Sequence, residues 1–577
     1  MGIRDEVRRE TLLPEGAIDG AAALARGRAR AAGVTPGPSP FLAHHGLASE
    51  LAFKRRRMAE GRMMFHAQIG YRRLDDSRRA WAEIHQRLDS HGWAPDRYGI
   101  CLDWSMGYPV AARRGKPRGT GLILDEATDF SALTGMAPVA AHFGDFVLGM
   151  PAAAENTAAA IAAGATTIGN LSQYFTFRLP GDRDDVAATL ATVEALGLMA
   201  AQPAEMLVHS NLDDGFAAWF EDMASALGFA MVEAYIVEQL IGLPLGHCFG
   251  HTYSDPLKRL AFHIALAEAN PTPGTMLYGN TTIYGADPAA NFGALASYVA
   301  VDLLALRRRH TGHAVTPIPT TEAQRIPSVD EVVDAHKAAR GLGARMAALA
   351  PLFTTVEAER QAAGLLRRAR GFHARLLDGL SHVVDIADPA ELLLALRRLG
   401  PARLENWFAD PPDAPDPAMA SPFVDEIATL AQREIAGLPL HDRETFARRA
   451  PRVLVATTDV HFYGKRLIET VVHHLGGRAL DGGVSTDPER LAELAAAENI
   501  QTIALSTYNG VALSYVRRLR AACAERGVAP RVFVGGRLNE IVEDAGGALP
   551  VDVSNEIRQC GAVPCSSVEE MVRELAR

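Results

Sequence analysis

The sequence predicts an α/β protein: a (β/α)8 TIM-like barrel, then a helical region, then a doubly wound (flavodoxin-like) domain. Three observations predict it. Short strand-like runs alternate with helical patterns between residues 50 and 340, and again after residue 451. The eight runs of the first stretch each end in Gly, Asn, Asp or His, the polar strand ends that gather at one barrel mouth. At 577 residues the chain also exceeds a single ordinary core, so two to four domains are expected. A doubly wound sheet is the alternative for the first stretch.

Residues 1–45, rich in Ala, Arg and Gly with TPGPSP at 35–40, read as an extended arm. The barrel is assigned to 46–345, with strands in 61–70, 97–104, 144–150, 165–171, 204–211, 242–250, 274–280 and 312–319. Helical patterns such as ENTAAAIAAG and DPLKRLAFHIALAEAN fall between them. Residues 346–450 form a helical region, interrupted by the Pro/Asp-rich linker DPPDAPDPAMASP at 410–422. The last domain, 451–577, repeats strand and helix from RVLVATT through QTIALST to RVFVGG.

Composition narrows the function classes. Apolar residues at 48% and charged residues at 22% suit a soluble globular chain. A net charge of −10 gives no support for nucleic-acid binding. The basic run Lys54–Arg57 reads as a solvated helix face. No apolar run approaches a membrane span of about 18–20 residues, and MGIRDEVRRE lacks a signal-peptide core. Gly2 is not followed by Ser or Thr at position 6, which argues against myristoylation. Five cysteines form no C-x-x-C pair, so a reduced cytoplasmic setting is expected; Cys560 and Cys565 have no neighbouring ligands for a metal.

Ligands of doubly wound sheets bind beyond the carboxyl ends of the strands. Three such ends carry unusual residues. TTDVHFYG gives D-x-H-x-x-G through Asp459, His461 and Gly464; LSTYNG gives S-x-Y through Ser506 and Tyr508; VGGRLNE gives the pair Gly535–Gly536. An acid and an imidazole two residues apart could hold a metal, run acid–base chemistry or cap a helix.

This set resembles the cobalamin-binding domain of the mutase and methionine synthase class, whose pattern is D-x-H-x-x-G, S-x-L, G-G. The stretch from TDVHFYGKRLIE to the Gly pair is most similar to the small subunit of glutamate (methylaspartate) mutase. Residues 50–340 resemble that enzyme's barrel subunit more distantly, through 242–269 and through 313–331, where Glu322, Ile326 and Pro327 align with E-A-x-x-I-P. The resemblance implies both subunits fused in one chain, with adenosylcobalamin held between barrel mouth and small domain. It makes His461 the lower axial ligand of cobalt, with Asp459 on its other nitrogen. Gly464 would admit the displaced nucleotide tail, Ser506 would touch its benzimidazole, and Gly535–Gly536 would leave room for it; Tyr508 stands where the family has Leu. Glu322 would contact the adenosyl ribose, unless it caps the helix at Ser328; Ile318 replaces a family lysine.

The implied reaction is a radical carbon-skeleton isomerisation. The family's three substrate arginines align with Gln68, Gly107 and Leu148, its acidic partner with Asn170, and its tyrosine with Tyr174; Arg178 is the nearest replacement cation. Bidentate carboxylate clamps are hard to replace with neutral groups, so a small amino or carboxylic acid other than glutamate is expected. The inferred mouth comprises His66, Gln68, Asp103, Asn170, Tyr174, His209, Asn211, His247, His251 and Asn280. From it Gln68, Asp103, Asn170, Tyr174 and His247, together with Glu322, are the candidate catalytic residues. His247 and His251 have i,i+4 spacing, but Gly250 and the strand before it argue against a zinc pair. No P-loop or coenzyme-A motif is present. A corrinoid methyltransferase and a non-catalytic cobalamin sensor are the alternatives. A small-molecule substrate and a homodimer are expected, with no nucleic-acid or membrane partner.

Overall fold

The computed structural model describes residues 7–16, 18–116, 118–144, 146–410, 418–508, 510–540 and 550–577. The core of the predicted linker, 411–417, therefore lies outside the described residues. The chain forms two compact units: 1–116, 121–176 and 184–423 make the first, and 117–120, 177–183 and 424–577 the second.

Eight short strands organise the first unit: β1 (Met64–Ile69), β2 (Arg97–Ile100), β3 (Ala140–His142), β4 (Thr167–Ile168), β5 (Leu207–Asn211), β6 (Leu245–Cys248), β7 (Met276–Leu277) and β8 (Ala314–Val315). They pair in the orders β3-β2-β1-β8-β7 and β4-β5-β6, parallel throughout. Parallel bridges Phe143↔Ile168 and Phe249↔Leu277 continue the pairing from β3 to β4 and from β6 to β7. Seven of the predicted strand windows contain a strand. The exception is 144–150. The strand precedes it at Ala140–His142, and Phe146 (φ 58°) and Gly149 (φ 85°) hold the next residues in conformations no strand adopts.

Helices of this unit correct three further expectations. The basic run is a solvated face only in part: Arg55 is exposed, but Lys54, on the helix Glu50–Ala59, is fully buried, and its Nζ donates to the carbonyls of Thr275 (3.3 Å) and Gly312 (3.0 Å). Arg55 pairs with Glu205, Arg56 donates to the His45 carbonyl and Arg57 pairs with Asp96. The arm is helical rather than extended. Its helix Gly20–Arg30 packs on Asp185–Ala200, where a Cβ on Gly27 would lie 1.9 Å from the Glu194 carbonyl and one on Gly197 2.5 Å from that of Leu24. Small residues here serve close helix packing, not chain extension. Finally, Met223–Ile241 (19 residues) and Pro288–Arg308 (21 residues) are long and apolar enough to cross a membrane by length and composition; 67% of the first is buried inside the protein.

The helical region divides between the units. Val356–Ser381 lies on Met223–Ala234 and Pro256–Ala269, with Phe372 against Gly228. Ala431, Leu438 and Phe446, by contrast, join the core of the second unit. That unit is built on β9 (Arg452–Thr457), β10 (Arg478–Asp481), β11 (Thr502–Thr507), β12 (Arg531–Gly536) and, beyond the two-residue ribbon β13 (Asn539–Glu540) and β14 (Val551–Asp552), β15 (Val563–Cys565). The five-stranded order is β10-β9-β11-β12-β15, all parallel. Alternate side chains of β9 serve opposite faces: Val453 and Val455 pack with Val471, Phe533 and Val572, whereas Leu454 and Ala456 pack with Leu491, Leu505 and Val516. The strand order reverses between β9 and β11, so their carboxyl ends flank the crevice where such sheets place ligands.

Candidate functional site

At the end of β9 the Asp459 carboxylate is 1% exposed and fully engaged. Its Oδ1 accepts from the His461 backbone N–H (3.0 Å) and from His461 Nδ1 (2.7 Å). Its Oδ2 accepts from the Tyr508 N–H (2.7 Å) and the Thr458 hydroxyl (3.1 Å). One carboxylate thus ties the end of β9 to the end of β11. The imidazole, with its side chain 38% exposed, donates Nδ1–H to Asp459, and this tautomer places the lone pair on Nε2. The capping alternative fails on geometry. The helix Tyr463–His474 has Phe462 at its N-cap and no side-chain cap bond.

The glycines divide into two roles. A Cβ on Gly464 would lie 2.3 Å from the Ser506 hydroxyl, so glycine lets the helix begin against β11. Gly536 adopts φ 97°, and a Cβ there would meet the Thr507 carbonyl at 2.2 Å; the backbone itself requires it. Gly535 differs, since its Cβ would meet only the Cys565 carbonyl at an ordinary 3.6 Å. Its side of the strand keeps room a side chain would fill. Two contacts complete the site: the Tyr508 ring lies 4.3 Å from that of His461 at 35°, and the Arg537 guanidinium lies 4.1 Å from the Tyr508 centroid. Arg537 was not singled out by the motif, although it follows the glycine pair directly.

In the first unit, β1, β2, β3 and β5 bring a different set together. Gln68 Nε2 donates to Cys101 Sγ (3.0 Å), and Gln68 Oε1 lies 3.2 Å from His66 Nε2. His66 Nδ1 is 3.3 Å from Arg97, whose guanidinium pairs with the buried Glu50. The His142 ring centroid is 4.1 Å from that of His209 and 6.2 Å from that of His66. Burial holds all three imidazoles well below their usual pKa; the Arg97 cation adds to this for each, and neighbouring His209 more strongly for His142. They are neutral hydrogen-bonding groups at pH 7. Arg97, Cys101 and His142 escaped motif reading. Their signal is a period-two polar pattern inside otherwise apolar strands, with glycines where the rings lie: a Cβ on Gly99, Gly144 or Gly169 would come within 2.6 Å of His66, His142 or His209.

The other predicted residues are dispersed. Asn170 Oδ1 accepts from Ser172 and from the Asn211 N–H (2.9 Å), joining the ends of β4 and β5. Asp103 caps the turn Trp104–Gly107 through the Ser105 N–H. Tyr174 is not placed with the interior set: its hydroxyl meets Thr189 at 2.5 Å and Arg397 lies 4.8 Å from its ring centroid. His247 is engaged internally, with Nδ1 against Asn270 (3.1 Å) and Nε2 3.3 Å from Glu233. His251 contacts Thr281, and Asn280 donates to the His251 carbonyl. Glu322 sits in a turn closed on Pro319, and the helix cap belongs instead to Ser328 with Glu331. Leu148 is buried in the turn after β3, Gly107 ends a short helical turn, and Arg178 falls in the second unit. Among the described residues no group of three or more His, Cys, Asp or Glu is placed to hold a metal ion.

No protein-family model matches this sequence, and no curated protein does. Among solved structures, a cobalamin-binding protein from Desulfitobacterium hafniense aligns over 27% of this chain and 78% of its own, at 18% identity and a TM-score of 0.19. A likeness at that score decides nothing, and the functional reading rests on the geometry above.

Proposed function

We propose that the second unit binds cobalamin and that His461 Nε2 would hold its cobalt. We propose further that the chain is an adenosylcobalamin-dependent radical isomerase acting on a small amino or carboxylic acid other than glutamate. The observation that carries the reading is the four-bonded Asp459 carboxylate, which fixes the His461 tautomer with Nε2 as donor. The residues suit the group. Imidazole nitrogen is a ligand cobalt accepts, and the space beside Gly535 is one a side chain would occupy. If bound there, adenosylcobalamin would supply the radical chemistry of the isomerisation.

The remaining work falls to the chain. Asp459 orients the imidazole and raises its basicity. In the first unit the continuous series of parallel pairings supports a (β/α)8 barrel. Neutral His66, His142 and His209, with Gln68, would hold a small polar substrate by hydrogen bonds and shield it from water. Gln68, Gly107 and Leu148 offer no cation for a second carboxylate, which is why glutamate is not proposed. Five free cysteines suit a reducing cytoplasm.

The test is a titration of the purified protein with adenosylcobalamin, followed by paramagnetic resonance of the cobalt(II) form with 15N-histidine labelling. The expected result is saturable binding and an axial splitting that changes with the label. An unlabelled splitting pattern would sink the ligand assignment. Anaerobic addition of candidate acids should then yield a cobalt(II)–radical pair with one of them. Tight binding with no pair from any acid would remove the isomerase and leave a cobalamin carrier.

A further inference from the structure

The carboxylate of Asp459 fixes only part of the His461 geometry. One hydrogen bond from Nδ1 sets a direction within the imidazole plane, but the plane can still tilt about that direction. The His461 side chain is 38% exposed, so the groups that lie against its ring face bear on that tilt. A flat group against the face would limit the tilt and present the Nε2 lone pair along one line.

We propose that Tyr508 is the positioning residue of His461, its ring in contact with both the imidazole and the Arg537 guanidinium, so that it sets the tilt of the ligand ring. This rests on the cobalamin reading above. Three observations carry it. The Tyr508 ring covers the imidazole face at 4.3 Å and 35°, a geometry in which aromatic rings attract. Arg537 lies 4.1 Å from the Tyr508 centroid, a cation over a π face. The tyrosine backbone, moreover, is anchored to the carboxylate that holds the imidazole, through its N–H to Asp459 Oδ2 at 2.7 Å.

The pile therefore has fixed ends. Arg537 is placed by its N–H to the Thr507 carbonyl (2.8 Å), one residue after Gly536 turns the chain at φ 97°. Thr507 and Tyr508 are consecutive, so the end of β11 supplies both the ring and the anchor of the cation above it. A leucine at 508 could fill volume here, but it has no flat face to resist tilting and no π surface for Arg537. Tyrosine at this position is then a device of this chain for holding a half-exposed ligand, and Arg537 is its support.

The test uses the full-length protein with cobalamin bound, in four variants: Tyr508→Leu, Tyr508→Phe, Arg537→Gln and His461→Ala. Two quantities are read, the Kd for cobalamin and the axial nitrogen splitting of the cobalt(II) form. Loss of one aromatic stack is expected to raise Kd about three- to tenfold in Tyr508→Leu. It should also broaden the splitting, because the ring samples several tilts. Tyr508→Phe keeps the face and should restore the sharp splitting; a merely structural hydroxyl would not be rescued this way. Arg537→Gln should fall between, with a Kd raised about two- to fivefold.

If Tyr508→Leu and Arg537→Gln both keep the wild-type Kd and a sharp splitting while His461→Ala loses the splitting, the positioning role is overturned and the ligand assignment stands. Should His461→Ala itself keep the splitting, both fall together.

Discussion

His461 and His142 are both imidazoles at or just beyond the carboxyl end of a parallel strand, and they show what distinguishes a ligand from an interior group. His461 is half-exposed and donates Nδ1–H to a carboxylate, the tautomer that puts its lone pair on Nε2. His142 is buried against His209, with no carboxylate paired to it among the described residues, and burial keeps it neutral. The first arrangement offers a lone pair to an acceptor, the second a hydrogen bond to something uncharged. Exposure and the identity of the partner decide the difference, not residue type or strand position.

The comparison can be broken most decisively at His461. His461→Ala is expected to remove the protein nitrogen from the cobalt(II) spectrum, which His142→Gln should not do. Next in size, Asp459→Asn should weaken cobalamin affinity about 10- to 100-fold, measured by equilibrium binding, since the ligand loses its orienting carboxylate. An effect no larger than that of an exposed substitution would mean that Asp459 serves only to join the two strand ends. Gly536→Ala forces a side chain into φ 97° against the Thr507 carbonyl and should cost about 1–3 kcal/mol of stability, read by chemical denaturation.

A smaller effect probes the interior. Burial, together with the Arg97 cation, pushes Lys54 down to about 7, below the ordinary lysine range. From about pH 7 to about 10 the unfolded chain then holds a proton that the folded chain has released, so this group makes stability rise with pH across that window. Lys54→Met should flatten the slope of Tm against pH there; an unchanged slope would show that the buried amine stays charged. Last, His142→Gln should leave the Kd for cobalamin within about twofold, roughly the noise of additivity between separate sites. A larger shift would end the division of labour drawn here.

The second unit was the more legible in sequence because its signals are local. Strand, polar turn and helix follow one another, and D-x-H, S-x-Y and G-G each sit at or just beyond the end of a single strand. Only Tyr508 over His461, with Arg537 above, needed coordinates, since stacking joins residues 47 and 29 positions apart. The first unit was legible in rhythm and less so in detail. Its strands are as short as two residues, so periodicity placed the strand before Phe146 some residues late. Tyr174 and His247 looked like mouth residues because strand ends carry polar groups, yet helices 185–200 and 256–269 with their neighbours supply internal partners that no strand pattern encodes. Lys54 misled for the opposite reason, because its partners are backbone carbonyls, which have no sequence signature.

The glycines opposite the interior imidazoles have a consequence for how this chain can change over time. Gly99 with His66, Gly144 with His142, Gly169 with His209 and Gly274 with His313 each leave no room for a methyl group beside the ring. Neither member of such a pair can drift alone: enlarging the glycine expels the ring, and shrinking the ring opens a void beside a glycine. Inheritance should therefore act on the pairs, and related chains that have traded an imidazole for a smaller side chain should be found to have gained a Cβ across from it.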